Sequence, residues 1–346
     1  MATPSITLSV LDQSPVRQGG TAADALRESV RLAQVTERLG YTRYWVAEHH
    51  NSGTFAGTSP EILIGQIAAA TGAIRVGSGG VMLSHYSALK VAEQFRILES
   101  LFPGRIDLGI GRAPGSDQLT AAALSYPRPQ VDINAFPQQV VDLLGFLDGM
   151  MHDEDQFAKL QAQPGSPPSP GAPAVWLLGS SDYSARLAAM VGLPFAFADF
   201  FGHTGKIGPS VANLYRENFR PTRFGEEPHV NVTVHVVCAP TEEEAVHLAA
   251  SRKFMRAARV MGIRGGLVAP DEAAAYPLTD EVRRHVEEQS QNAIDGTPEQ
   301  VLQRILEIAD AYGTTDVGVV TNCYAFEDRV RSYELLAEAF GLASRA

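Results

Sequence analysis

The stretch ITLSVLDQSPVRQGGTAADALRESVRLAQVTERLGYTRYWVA, residues 6–47, contains the unit from which we predict the fold. Its two short apolar runs, Ile6–Leu11 and Arg43–Ala47, are typical of buried strands. Between them Thr21 is a predicted N-cap with Asp24 three residues later, and apolar residues recur at helical spacing. Gly40 stands where a left-handed C-cap is expected. The stretch therefore predicts a strand, a helix and a second strand parallel to the first.

The same alternation continues to the end of the chain. Six further strand-like runs lie at Ile74–Ser78, Ile106–Ile110, Val175–Leu178, Phe195–Ala198, Val230–Cys238 and Asp316–Thr321. Each parallel pair needs a crossover connection, which is usually a helix. About eight such units close into a barrel more naturally than into an open sheet. We therefore predict an α/β protein with the (β/α)₈, or TIM-barrel, architecture.

Two C-terminal helices complete this pattern. Thr297-Pro298-Glu299-Gln300 combines an N-cap, a proline at the first helical position and a capping-box glutamine, and Gly313 is the predicted terminator. A last amphipathic helix is predicted over about Glu327–Phe340, before Gly341.

We expect a single domain over residues 1–346 with loop insertions at about 152–173 and 262–297. The first insertion includes Gln163–Pro173, with five prolines in eleven residues. The alternative is an open, dinucleotide-binding sheet, because Gly109–Gly115 superficially matches a glycine-rich fingerprint. That segment has GxGxxxG spacing, contains Pro114 and follows the fourth strand instead of the first, so the alternative is not favoured.

The composition argues against several classes of protein. With 28 Lys+Arg against 39 Asp+Glu the formal net charge is −11, so a general nucleic-acid binder is not expected. Cys238 and Cys323 lie far apart without a CxxC motif, which predicts neither a disulfide framework nor a zinc ribbon and fits a reducing cytoplasm. No segment reaches the roughly 18 apolar residues of a membrane span, and the N-terminus does not resemble a signal peptide. We expect a cytoplasmic protein with no membrane partner.

Reacting groups of such a barrel lie at the carboxyl ends of its strands. The second predicted strand ends in Ala47-Glu48-His49-His50-Asn51. Neighbouring residues of an extended strand point to opposite faces, so Glu48, His49 and His50 cannot all converge on one ion, and no metal is expected. Two interpretations remain open. The histidines are either held by loop hydrogen bonds, or one of them transfers protons near neutral pH.

Three further strand ends predict a phosphate-bearing cofactor. The glycines of Val76–Val81 either let a flat group approach the backbone or form a bulge. Gly111 and Arg112 follow the fourth strand, and Gly179-Ser180-Ser181 with Ser184 follows the fifth. A helix start with free N–H groups and serine hydroxyls can bind phosphate, although an ordinary serine N-cap explains the serines equally well. The addition of Arg112 on an adjacent strand favours a phosphate site.

Several blocks of the sequence, in this order, resemble the bacterial luciferase-like flavin-dependent monooxygenases, and especially their non-luminescent branch. The blocks are Tyr44–Asn51, Val76–Leu83, Ala92–Gln94, Pro103–Asp117 and Trp176–Ala198. The resemblance runs from about residue 6 to 340. It implies a (β/α)₈ barrel, usually a dimer, that takes reduced FMN from a separate NAD(P)H:flavin reductase and reacts it with O₂.

Carried over by position, the resemblance implies roles for single residues. His49 matches a residue proposed as a catalytic base, with Glu48 beside it near the flavin. The Gly79–Gly80 peptide falls where the family often has a non-prolyl cis bond beneath the flavin ring. The residues that match the phosphate side are Arg112, Ser180, Ser181 and Ser184, next to Gly179.

Two positions depart from the family pattern. Gly111 stands where the light-emitting enzymes carry a reactive cysteine, which argues against efficient luminescence. Ser84-His85-Tyr86 replaces the Pro-Asn-His usual in close relatives, so the substrate side of this loop differs.

The principal functional hypothesis is an FMNH₂-dependent, two-component monooxygenase that inserts one oxygen atom from O₂ into an organic substrate. An arginine-biased composition suggests a secondary metabolite, such as an aromatic polyketide, whereas aldehydes, alkanes and small aromatic compounds stay open. The alternative is a coenzyme F420-dependent hydride-transfer oxidoreductase of the same superfamily. A third possibility is a flavin-binding protein without turnover. A homodimer is expected.

Overall fold

The computed structural model describes residues 6–112, 117–127, 132–149, 157–164, 172–202 and 204–345. The strands in these ranges are β1 (Thr7–Asp12), β2 (Arg43–Val46), β3 (Arg75–Met82), β4 (Ile106–Gly111), β5 (Ala174–Gly179), β6 (Phe195–Ala198), β7 (Val230–Cys238), β8 (Ile294–Gly296) and β9 (Asp316–Val320). The helices are α1 (Ala22–Arg38), α2 (Pro60–Ala70), α3 (Ala88–Leu101), α4 (Gln118–Ser125), α5 (Phe136–Asp148), α6 (Asp182–Val191), α7 (Gly208–Asn218), α8 (Glu242–Val260), α9 (Pro270–Ala275), α10 (Asp280–Gln289), α11 (Pro298–Tyr312) and α12 (Phe326–Ala339).

Eight parallel strands form a closed barrel. The strands β1 to β7 pair in sequence order, and β9 closes the ring by pairing with both β7 and β1. The predicted (β/α)₈ architecture is confirmed, and the open-sheet alternative is wrong because the last strand pairs back to the first.

Side chains alternate between the inside of the barrel and the helical layer, as the strand period of two requires. Along β2, Tyr44 and Val46 join the large cluster that packs under the helices, whereas Trp45 belongs to a separate, smaller cluster. That smaller cluster lies within the barrel and consists of Leu11, Trp45, Ala47, Trp176, Ala196 and Val320. The interior at this level is therefore filled and apolar.

Charged side chains fill the amino-terminal end of the barrel. Arg75 pairs with the fully buried Asp107 at 2.5 Å, and Arg43 pairs with Asp316 at 2.8 Å. The indole Nε1 of Trp45 also donates to Asp107, at 2.9 Å. Charges of opposite sign pair with one another at this end of the barrel, and the carboxyl ends of the strands are left for chemistry.

The sequence-based boundaries agree closely with the structure. The predicted strands Phe195–Ala198 and Val230–Cys238 match β6 and β7 at both ends. The capping boxes at Thr21 and Thr297 are both present, and Gly313 has the left-handed φ of 59° expected of a terminator. These features are set by residues close in sequence, which is why the sequence predicts them.

The second predicted insertion, at 262–297, includes a strand that the sequence did not predict. It contains α9 and α10, but Ile294–Gly296 forms β8, which pairs with the last three residues of β7. Three residues with a single apolar side chain carry too little pattern to predict a strand. Most of the first insertion, at 152–173, lies outside the described residues. The single domain over 1–346 remains a prediction.

Two other properties concern the described residues only. None of their helices is long and apolar enough to cross a membrane. The thiols of Cys238 and Cys323 are free and buried.

Candidate active site

Glu48 is the centre of a hydrogen-bonded cluster just beyond the end of β2. Its buried carboxylate accepts hydrogen bonds from the backbone N–H of Met82 at 3.0 Å and from the hydroxyl of Tyr86 at 2.7 Å. The ring Nε2 of His50 lies 2.8 Å from the same carboxylate. The partner of Glu48 is therefore His50 and not the adjacent His49.

His49 has a different environment. Its ring stacks 4.6 Å from that of Phe55, and its backbone N–H donates to the carbonyl of Gly57 at 2.8 Å. Its Nδ1 atom is buried and has no hydrogen-bond partner among the described residues. Burial lowers the pKa of His49 to about 4; Glu48 opposes this shift, and Arg259 adds to it. The apolar contact disfavours the charged ring, and the role of His49 in proton transfer stays a prediction. The ring is neutral at pH 7 and can accept a proton.

The glycines of β3 form a stretch of bare backbone. The Gly79–Gly80 peptide bond is cis, as the resemblance implied. The pairing of β3 with β4 shifts register between Ser78 and Val81, so a bulge is also present. A Cβ atom on Gly79 would lie 2.5 Å from Leu11 Cδ1, and one on Gly80 would lie 2.7 Å from the Gly109 carbonyl oxygen. Packing against the backbone of β4 therefore requires glycine at Gly80, and at Gly79 a side chain would displace Leu11.

The ends of β4 and β5 bring together the residues predicted for a phosphate. The guanidinium of Arg112 lies over the ring of Tyr183, 4.0 Å from its centroid, so this arginine sits beside the first turn of α6. Ser181 is the N-cap of α6, yet its side chain makes no capping hydrogen bond. Ser184 is buried one turn into the helix, Ser180 is half-buried, and a Cβ on Gly179 would overlap the Ser184 side chain.

These groups fit a phosphate by their chemistry. The first N–H groups of α6 are free of a side-chain cap, and the adjacent guanidinium and serine hydroxyls are hydrogen-bond donors. At Gly111 a Cβ atom would meet no atom of the described residues within 4 Å, so none of them fills the space beside this site. Because β3, β4 and β5 are consecutive strands, the bare Gly79–Gly80 backbone and the phosphate side share one edge of the barrel mouth.

The sequence analysis missed His235. It lies on β7, and its ring packs edge-on to Phe200 at 5.6 Å while its Nδ1 lies 3.3 Å from the Val320 carbonyl oxygen. Burial holds the pKa of His235 well below its ordinary value, and the charges of Arg252 and Arg256 lower it further. The signal was the alternation in VNVTVHVVC, where Asn231, Thr233 and His235 take every second place and so face the barrel interior.

No group of three His, Cys, Asp or Glu side chains is arranged to hold a metal ion in the part of the chain that the structure describes. Among the described residues, the mouth contains hydrogen-bond donors, bare glycine backbone and the side chains of His49 and His235.

Comparison with known proteins adds independent evidence. A family model described as luciferase-like monooxygenase matches residues 6–315. The uncharacterized protein YwcH of Bacillus subtilis is 45% identical over 97% of this chain and 99% of its own. N-acetyl-S-alkylcysteine monooxygenase of the same organism is 37% identical over 98% of this chain and 100% of its own. The crystal structure of apo-MsnO8 is 40% identical, with a TM-score of 0.89 over 98% of this chain and 100% of that one.

Proposed function

Because the chain belongs to the luciferase-like monooxygenase family, we propose that it transfers one oxygen atom from O₂ to an organic substrate with reduced FMN as cofactor. A separate NAD(P)H:flavin reductase supplies the reduced FMN in this proposal. The observation that carries it is the shared edge of the barrel mouth, where bare backbone at Gly79–Gly80 adjoins Arg112 and the uncapped start of α6.

The proposed cofactor contacts follow from this edge. Arg112 and the N–H groups at the start of α6 bind the phosphate, together with the hydroxyls of Ser180, Ser181 and Ser184. The backbone of Gly79–Gly80 contacts the flat ring. When bound, reduced FMN supplies the electrons that activate O₂.

The protein supplies proton transfer and a dry environment. His49 is neutral at pH 7, and its buried Nδ1 accepts a proton in the proposed reaction. Glu48 holds His50 and Tyr86 in place by the hydrogen bonds described above, so we propose that these residues position the loop beside His49. The apolar layer that includes Leu11, on β1, excludes water from below.

We also propose that two copies of the chain form a homodimer. Large apolar side chains are exposed on two neighbouring helices: Ile62 on α2 is 68% exposed, and Leu101 on α3 is 65% exposed. Ile97 lies one turn before Leu101 on α3 and is also exposed. Several exposed large apolar side chains on neighbouring helices are typical of a subunit interface. The two free cysteines fit the reducing cytoplasm in which we propose that the protein acts.

We propose two classes of organic substrate. One relative is named for N-acetyl-S-alkylcysteines, which are thioethers that carry a carboxylate. The arginine-biased composition favours a secondary metabolite such as an aromatic polyketide. We propose that both classes be tested first.

The experiment is a product screen with the purified protein, FMN, NADH and a flavin reductase under ¹⁸O₂. The proposal expects a product that carries one ¹⁸O atom and requires both FMN and the reductase. Hydride transfer to a substrate with reduced F420, and no ¹⁸O product with FMN, would support the F420 alternative instead. Binding of FMN without any product across both classes would support a flavin-binding protein without turnover.

A further inference from the structure

Three arginines lie along one side of α8. Arg252, Arg256 and Arg259 are spaced four and three residues apart, which aligns them on one face of a helix. The proposed flavin site does not use them.

This face of α8 borders the barrel mouth. Near its start, Ala245 and Ala249 pack with Val237 of β7 and with Cys323, which follows β9. Two turns later, Arg256 Nη2 donates to the carbonyl of Phe200, beyond β6, at 2.8 Å.

The chain that follows α8 reaches the loop after β2. There the hydroxyl of Thr54 donates to the carbonyl of Gly265 at 2.7 Å. The helix therefore runs from the β6–β7 side of the barrel toward β2, past the ends of β9 and β1. In the ring of strands, β9 and β1 lie opposite β4 and β5, where the proposed phosphate site is.

The guanidinium of Arg252 is completely buried and incompletely paired. Its Nη2 donates to Asp295 at 2.8 Å, but its Nε and Nη1 are buried without a partner among the residues described. Asp295 also faces the ammonium of Lys253 at 3.7 Å, so one carboxylate is shared by two cations and Arg256 adds a third. A buried guanidinium with unused N–H groups is costly, and an anion that accepts those hydrogen bonds removes the cost.

The positive charge extends to the barrel interior. Both Arg252 and Arg256 lower the pKa of His235, which faces inward from β7, in addition to the larger effect of burial. Arg256 donates to the carbonyl of Phe200, whose ring packs against the inward-facing His235 at 5.6 Å, so an anion beside these arginines would lie near the barrel mouth.

We propose that Arg252 and Arg256 form an anion subsite that binds the carboxylate of the organic substrate, across the mouth from the flavin phosphate. Arg252 offers the unpaired N–H groups of Nε and Nη1, and Arg256, whose Nη1 and Nη2 donate to Ser290 and Phe200, adds a second positive charge. Charge-assisted hydrogen bonds of this kind suit a carboxylate. This assignment rests on the proposed function, because it names the substrate class of the same site.

The test compares a carboxylate probe with its neutral counterpart. N-acetyl-S-benzylcysteine and its carboxamide are titrated into the purified full-length protein by calorimetry, without flavin or O₂. We expect the acid to bind at least about ten-fold more tightly than the amide, as a charge-assisted contact predicts. Arg256→Gln should weaken binding of the acid to the level of the amide and leave the amide unchanged. Arg331→Gln, at an exposed arginine of α12 that pairs with Glu334, is the control and should keep the wild-type ratio.

Other outcomes overturn the assignment. Equal binding of acid and amide by the wild type, or no binding of either probe, contradicts a carboxylate subsite. Weaker binding of reduced FMN by Arg256→Gln, with an unchanged acid-to-amide ratio, would assign the anion to the flavin phosphate. Because the ratio is measured without flavin, it does not depend on oxygen transfer, so failure of this inference and failure of the proposed function are separate results. Arg252→Lys keeps a positive charge opposite Asp295 and should retain a preference for the acid. It is the control for a variant that fails to fold.

Discussion

At the scale of single residues, the state of His49 is decided by its packing. The ring lies against Phe55 and its Nδ1 is buried without a partner in the described part of the chain, so the charged form is disfavoured. The neighbouring His50 instead lies within hydrogen-bond distance of Glu48 and of the Tyr86 hydroxyl. Two adjacent histidines therefore differ in chemistry because their side chains contact different neighbours.

The pKa of His49 makes stability depend on pH. The folded-state pKa of about 4 lies below the ordinary value of 6.5, so between these values the unfolded chain binds a proton that the folded chain does not. The stability contributed by neutral His49 is present above about pH 6.5 and is lost as the pH falls toward 4. We expect the free energy of unfolding of the wild type, relative to His49→Asn, to be constant above pH 7 and to decrease from pH 6.5 to 4. Urea titrations measure it, and a difference that stays constant down to pH 4 would contradict burial of the neutral ring.

His49 also carries the proposed proton transfer. His49→Ala should reduce the rate of product formation by about 10²–10⁴, the range for a removed acid–base group, and leave the affinity for reduced FMN nearly unchanged. His50→Ala should have a milder effect, because His50 contacts Glu48 and acts by positioning. Product is quantified by mass spectrometry after mixing with reduced FMN and O₂. A larger loss in His50→Ala than in His49→Ala would reverse the two roles.

At the scale of elements, the phosphate site depends on where α6 begins. Its N-cap, Ser181, makes no side-chain capping hydrogen bond, and Arg112 of the neighbouring strand end stacks on Tyr183 in the first turn. The helix therefore presents free N–H groups beside a fixed cation.

Removing the Arg112 guanidinium tests whether the start of α6 binds the flavin phosphate. Arg112→Ala should weaken binding of reduced FMN by about 2 kcal/mol, the loss of a charge-assisted contact, and leave binding of reduced lumiflavin, which has no phosphate, unchanged. Arg186→Ala is the control, because Arg186 lies on the same helix but is exposed and paired with Asp182. Fluorescence titration under nitrogen measures both ligands. Equal losses for FMN and lumiflavin would show that Arg112 supports the loop and not the phosphate.

The elements also show which features a sequence can predict. The Thr297 capping box and Gly313 were predictable because their partners lie within a few residues. The strand β8 was not, because it exists only through its pairing with the end of β7. The different surroundings of His49 and His50 were not predictable either. His49 packs against Phe55, and Tyr86 donates to Glu48, the partner of His50; no short sequence motif indicates these contacts.

At the scale of the whole molecule, the proposed site and the proposed interface lie on different surfaces. Ile62, Ile97 and Leu101 are exposed on α2 and α3, at the side of the barrel, while the site occupies its carboxyl end. Disrupting the interface should therefore change the assembly before it changes flavin binding.

The double variant Ile97→Asp/Leu101→Asp tests this surface. We expect the wild type to be a dimer and the variant a monomer by light scattering coupled to size exclusion, because two buried, unpaired carboxylates oppose association. Leu119→Asp, at an 81% exposed position on α4, is the matched control and should stay dimeric. A monomeric wild type would contradict the interface.

The central claim is that the mouth of this barrel binds reduced FMN from solution. An enzyme that accepts reduced flavin and releases the oxidised form must bind the reduced form more tightly. The measurement is an anaerobic titration of the purified protein with reduced FMN, compared with oxidised FMN and with F420. We predict that reduced FMN binds most tightly and that oxidised FMN is lost on dialysis. Stoichiometric FMN that survives purification and dialysis, or binding of F420 without binding of reduced FMN, would contradict the claim.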